Sequence, residues 1–331
     1  MHAGRHYTVR EVFFWTLRET LVFVVLGALP PLLFLGGVDL PEIAWPPVAL
    51  LGTAVAFITG FKGNAAYNRL WEARQIWGGI VNASRVWASL VDHFVTGDGE
   101  ASAAARKRLA LRHFAWLTAL RFQLREPRIW ETQELPHNRD YQRRTFEVEE
   151  RSAAIETVLA KYLEPAALER AKGKKNRAIL LLHDQSAELR DLAAAGNLTE
   201  LRHIELERVL ATLVDLQGRS ERIKNFPYPR QFATMNLIFV WLFVTILPFA
   251  LVSLFDADPA TVWLTLPSTV AIAWVVHSMD KIGEATENPF EAGPNDVPIT
   301  AMSRSIEIDV RDMLGLGDAP PPLQPDRNIL M

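Results

Sequence analysis

The chain has 331 residues, 49% hydrophobic and 22% charged, with a net charge of −3 and no cysteine. Bulk charge gives no electrostatic case for a nucleic-acid partner. The lack of cysteine excludes disulfides, thiolate metal sites, iron–sulfur clusters and cysteine nucleophiles.

In chain order, the first element expected is an interfacial helix over residues 7–18 (YTVREVFFWTLR), where aromatics and arginines mix. It leads into residues 20–38, the first of four stretches without Asp, Glu, Lys or Arg; the others are 43–61, 231–255 and 259–279. Each holds about 20 residues, enough at a rise of about 1.5 Å per residue to cross roughly 30 Å of hydrocarbon. Buried helices of a large soluble protein are the alternative, but such helices are usually shorter and carry a charge. Pro30, Pro31, Pro46, Pro47, Pro248 and Pro267 fall inside the stretches. An interior proline costs about 3 kcal/mol in a soluble helix, whereas membrane helices tolerate it when neighbours satisfy the freed carbonyls. Gly52, Ala54, Ala56 and Gly60 make the second stretch small-sided and suited to close helix contact. A cleaved signal peptide is not expected, because the first apolar run is too long and Gly36-Gly37-Val38-Asp39 is a poor cleavage match.

Of the 35 Lys and Arg, 3 precede the first stretch, 28 lie in residues 62–230 and 4 follow the fourth. The connections 39–42 and 256–258 hold none. The positive-inside rule therefore places both connections outside, and the middle segment and both termini in the cytoplasm. The expected division is a hairpin over 1–61 with its leading helix, a cytoplasmic helical region over 62–230, a second hairpin over 231–279 and a cytoplasmic segment over 280–331.

Residues 62–230 read as helix nearly throughout, as in the spacing of Leu109, Leu111, Phe114, Leu117 and Leu120. Breaks are expected at 98–101, 125–140, 173–176 and 196–197, with Thr199 placed to cap a helix from Glu200. The basic run 172–177 (KGKKNR) reads as a solvated loop, or more sharply as an anionic-lipid contact. The proline-rich tail from Asp318 is expected to be irregular.

The eight histidines form no HExxH pair, and no Walker loop, GxGxxG or GxSxG is present. The four stretches hold no acid or base, which argues against an ion-coupled transporter. His277, near the end of the fourth, is a partial exception and reads as packed or interfacial. A pore lined by apolar and small polar groups stays open as a reading. Thr53, Phe57 and Phe61 fall at i, i+4 and i+8, on one helix face. That is either an ordinary packing stripe or, with several copies around an axis, a hydrophobic constriction able to gate by dewetting. Ring edges carry partial positive charge and could face a passing anion.

Three groups of residues resemble the bestrophin family of ion channels, in its bacterial branch. They are residues 60–74 (GFKGNAAYNRLWEAR) with Trp77-Gly78 and 82–85; residues 221–229 followed by 246–252 (ILPFALV); and 287–290 (ENPF) followed by 295–298 and 306–309 (IEID). Their order and spacing match over nearly the whole chain. The resemblance implies an all-α integral membrane protein with four transmembrane helices and a large helical cytoplasmic region, assembled as a homopentamer around one central pore. It implies a neck lined by Phe57 and Phe61, with Thr53 at the outermost position where the family often has an aliphatic residue. Leu201 falls on the cytoplasmic aperture, with a packing role as its alternative, and Arg202 lies beside it. Animal members are opened by calcium held in a clasp after the NPF motif. Asn288 and Asp296 match ligand positions here, but Gly293 stands where a carboxylate is expected, so neither metal nor cofactor is implied. ENPF and Asn295-Asp296 would then brace the cytoplasmic collar.

The expected partners are copies of the chain, membrane lipids and small inorganic ions, in the inner (plasma) membrane. Animal bestrophins conduct chloride and related anions, and bacterial relatives have been described as favouring cations, so the uncharged neck leaves the sign of the ion open. Anion conductance is the reading taken, with cation selectivity on the same architecture as the alternative. A membrane-anchored scaffold without transport is the rival from another class. A membrane enzyme is disfavoured by the missing motifs.

Overall fold

The computed structural model describes residues 1–331 except Asp98, Glu134, Asp256 and Ala257, and the side chains of Pro136 and His137. The expected break at 98–101 and connection at 256–258 thus lie partly outside the described residues. The described residues form helices α1 (Val9–Leu35), α2 (Trp45–Phe94), α3 (Glu100–Arg125), α4 (Pro136–Thr145), α5 (Glu149–Ser152), α6 (Ile155–Leu159), α7 (Pro165–Ala171), α8 (Arg177–Ala194), α9 (Glu200–Asn225), α10 (Arg230–Phe255), α11 (Thr265–Glu284) and α12 (Ile299–Met313). The only β pairing among them is isolated bridges near the chain ends. The chain divides into two compact units, and one division falls within α2, after Arg69.

One unit holds residues 4–69 and 227–288. Its helices α1, α2, α10 and α11, the last with its leading 3-10 turn, are long and apolar enough to cross a membrane. The amphipathic start and the first apolar stretch are one continuous helix, opened by Thr8 and Glu11 in a reciprocal capping box. Phe23, Val55, Val240, Val244, Leu247 and Ala273 form its core. Leu21, Val25, Leu32, Leu50, Ile238 and Val275 face outward, an apolar surface suited to lipid rather than water. The prolines divide into two kinds. Pro46, Pro47 and Pro267 occupy the first turns of α2 and α11, where a missing N–H costs nothing. Pro30, Pro31 and Pro248 are the interior ones. Gly52 lets Phe243 lie against the α2 backbone, since a Cβ there would stand 2.7 Å from Phe243 Cε2.

The other unit holds residues 1–3, 70–226 and 289–331. Helix α3 is enclosed on all sides from His113 to Arg121. Its Leu109, Phe114, Trp116, Leu117 and Leu120 pack into one core with Trp77, Ile80 and Trp87 of α2, Leu181 of α8, Leu213 of α9 and Ile306 of α12. Trp116 Nε1 donates to Gln217 Oε1 at 2.9 Å. Thr199 precedes α9 as expected, but its side chain makes no capping bond. Asn176 does cap, accepting from Ile179 N at 3.0 Å at the start of α8, just after the chain turns at Gly173 with φ +68°. The irregular tail returns to the body: Ile329 is buried with Phe146, Val148 and Ala292, and Ala3 N donates to Asn328 O at 2.6 Å.

Candidate functional site

The first half of α2 has two unlike faces. Val55, Thr59, Lys62 and Ala66 are buried, while Thr53 is exposed and Phe57 and Phe61 are 67% and 59% exposed. The stripe is therefore largely uncovered by the described residues of its own chain. The two rings meet edge to face, with centroids 4.6 Å apart and planes at 82°, the arrangement favoured by the ring quadrupole. Thr53 Oγ1 donates to Ala49 O at 2.9 Å, so its hydroxyl proton is turned back onto the helix.

Directly behind this face lies a polar cluster that the sequence reading missed. Lys62 Nζ donates to Asp280 Oδ1 at 2.6 Å, Asn236 Nδ2 donates to the same oxygen at 2.6 Å, and Thr59 Oγ1 donates to Asn236 Oδ1 at 3.1 Å. The apolar windows ended at Phe61 and Met279, one residue short of each charged partner. The adjacency of Lys62 and Asp280 to two window ends was the available signal.

Leu201 is 78% exposed in the first turn of α9 and so is not a packing residue of its own chain. Arg202 is folded against α2: its guanidinium carbon lies 5.5 Å from the centroid of the Phe94 ring, a cation–π contact.

Asn288 closes the first unit and is buried. Beside it Glu287 accepts from Arg230 Nη2 at 2.6 Å, and its carbonyl accepts from Arg69 Nε at 2.9 Å. Asp296 belongs to the other unit. It is buried against Arg125, whose Nη1 donates to Oδ2 at 3.2 Å while Nη2 donates to Val297 O at 3.3 Å. Glu291 is buried and accepts from Thr132 N at 2.8 Å and Thr132 Oγ1 at 2.7 Å. Burial pushes its carboxyl up to about 8. A tight calcium site needs several oxygen ligands carrying negative charge. Here Asp296 is held by a guanidinium, burial raises the Glu291 carboxyl while Thr132 occupies its oxygens, and a Cβ on Gly293 would stand 2.9 Å from Asp296 Oδ1. No group of three or more His, Asp or Glu among the described residues could hold a metal ion. Asp296, Glu291 and Glu287 are each engaged by partners within their own unit.

The fold is shared with known proteins. The sequence profile of a family described as Bacterial/Fungal Bestrophin protein matches residues 8–312. A voltage-dependent anion channel-forming protein of Ralstonia nicotianae is 31% identical over 84% of this chain and 80% of its own length. One of Escherichia coli O157:H7 is 29% identical over 85% of this chain and 81% of its own. A crystal structure of a bacterial bestrophin homologue from Klebsiella pneumoniae superposes with a TM-score of 0.74 at 24% identity, covering 90% of this chain and 98% of that one. The match spans all four apolar helices and the buried helical core alike, and this chain is a member of the bestrophin family, of its bacterial and fungal branch.

Proposed function

We propose that the chain forms an anion channel as a ring of five copies in the inner membrane, with both termini, residues 62–230 and residues 280–331 in the cytoplasm. Ions enter through a neck of Thr53, Phe57 and Phe61 rings and leave through a ring of Leu201. Chloride is the expected principal ion. The observation that carries this reading is the outward face of α2: two large aromatic side chains stand exposed on a helix whose opposite face is buried. A neck of phenyl rings resists wetting by its apolar faces and offers anions the positive ring edges. The names of the relatives, which are anion channel-forming proteins, support the sign of the ion. Arg202 lies one residue from Leu201, but its charge rests on Phe94. It acts in this scheme as a fixed positive charge near the exit.

The test is reconstitution into a planar bilayer under a KCl gradient. Reversal near the chloride equilibrium potential, with conductance changed by Phe57→Ala, is the expected result. Reversal near the potassium value sinks the anion assignment. A conductance that Phe57→Ala leaves untouched sinks the neck. Cross-linking in detergent that gives four or six subunits sinks the ring of five.

A further inference from the structure

The unit containing residues 70–226 has a cleft of about 740 Å3 that the channel reading does not use. Its walls are α4, the stretch 145–152 and the C-terminal turn at 326–327. Five arginines are among the residues that line it, Arg139, Arg143, Arg144, Arg151 and Arg327. Two carboxylates, Glu147 and Asp326, offset part of that charge and leave an excess of three positive groups.

Like charges this close repel, and the cleft is held together despite them. Phe146 and Val148 anchor its floor in a small apolar cluster with Ala292 and Ile329. Arg151 is fixed there, with Nη1 donating to Gln142 Oε1 at 3.1 Å and Nη2 to Glu291 O at 2.8 Å. The Arg327 guanidinium donates to the carbonyl of Arg144, tying the C-terminal turn to the end of α4. Arg139 and Arg143 stand at i and i+4, on one face of α4. Both are exposed, and among the described residues neither side chain has an ion pair or a hydrogen bond. Two exposed arginines on α4, a pinned one on the floor and Arg327 at the C-terminal turn leave the cleft with an excess of positive charge.

We propose that this cleft binds a compact multivalent anion bearing phosphate groups. Guanidinium groups meet phosphate oxygens with paired, charge-assisted hydrogen bonds, and the cleft has the size of a small-molecule site. A bound diphosphate would bridge α4 and the C-terminal turn, and so clamp the chain's last residues to the body. The same chemistry is available from a soluble diphosphate or from the phosphate headgroup of a lipid.

Calorimetry on the full chain in detergent at low salt, with inorganic pyrophosphate as the probe, tests the proposal. One pyrophosphate per chain is expected, with affinity at least tenfold weaker in Arg139→Ala/Arg143→Ala. The variant removes only exposed side chains without a partner among the described residues, so an unchanged melting temperature without ligand confirms its fold. The second arm uses nanodiscs of phosphatidylcholine with and without phosphatidic acid. If pyrophosphate fails but phosphatidic acid raises the melting temperature of the wild type and not of the variant, the phosphate comes from lipid and the site stands. Equal pyrophosphate affinity in both proteins overturns it, as does the absence of binding in both arms. A variant that falls into smaller assemblies while keeping pyrophosphate affinity also overturns it, since the arginines would then serve contacts between copies.

Discussion

Lys62 and Asp280 form an ion pair of 2.6 Å whose side chains are only 6% and 3% exposed, directly behind the outward-facing Phe61. Asn236 and Thr59 complete its hydrogen bonding. Burying two charges is worthwhile only when the pairing is this complete, and removing one partner strands the other. Lys62→Met should therefore lose about 3–5 kcal/mol of stability. Lys62→Met/Asp280→Asn, which leaves a neutral acceptor for Asn236, should recover much of it. Melting in detergent reads both, and equal losses in the single and double variants would show that the pair does not hold α2.

The close approach at Gly52 gives a second test. A methyl group there would meet Cε2 and Cζ of the buried Phe243 ring at 2.7 and 3.0 Å. Gly52→Ala should cost about 1–3 kcal/mol by overpacking. Gly60, on the same helix, has nothing within 4 Å of its added Cβ. Gly60→Ala should be neutral or stabilising by up to about 1 kcal/mol. A destabilised Gly60→Ala beside an unaffected Gly52→Ala would contradict the packing described.

Burial of His113 sets an acid-side dependence. Its ring lies between Trp87 and Trp116, with Nε2 2.9 Å from Ser84 Oγ, and burial pulls its pKa down to about 3 from the ordinary 6.5. Between those values the unfolded chain binds a proton that the folded chain refuses, so stability falls as pH drops from 6.5 towards 3. The slope is up to about 1.4 kcal/mol per pH unit. His113→Gln should be less stable at neutral pH but lose less on acidification. Chemical denaturation at pH 7, 5.5 and 4.5 gives the slopes, and parallel lines for the two proteins would rule this out.

Glu291 acts in the opposite sense. Its pKa is raised to about 8 from 4.5 by burial, so the folded chain holds a proton that the unfolded chain releases. Its contribution is present below 4.5 and is lost as pH rises to about 8. Glu291→Gln, neutral at every pH, should gain stability relative to the wild type between pH 5 and 8.5. A difference that stays flat over that range would show that Glu291 is charged in the folded protein.

The apolar helices were legible because a membrane span is a local property: length and hydropathy suffice. The outward face of Thr53, Phe57 and Phe61 was legible as a stripe, but only tertiary neighbours reveal that its own chain leaves it uncovered. Lys62 and Asp280 were hidden by the same rule that found the spans, because a window that stops at any charge cannot see two charges cancelling between helices 218 residues apart in sequence. The arginine cleft was invisible for a different reason. Arg139 and Arg151 are near neighbours in the chain, but Arg327 is brought to them by the burial of Ile329, a contact no local pattern encodes.

Helix α2 runs unbroken for 50 residues from Trp45 to Phe94. A helix without a break keeps its main-chain carbonyls bonded along its own axis and presents only side chains outward. Where such a helix walls a permeation path, as proposed here, it offers no oxygen cage to replace an ion's hydration shell, the device by which potassium filters work. Thr53 adds a single hydroxyl whose proton is already given to Ala49. An ion passing Phe57 and Phe61 must shed water against ring edges alone. The permeability order should follow dehydration cost rather than ionic size, with thiocyanate and iodide ahead of chloride. Bi-ionic reversal potentials would show it.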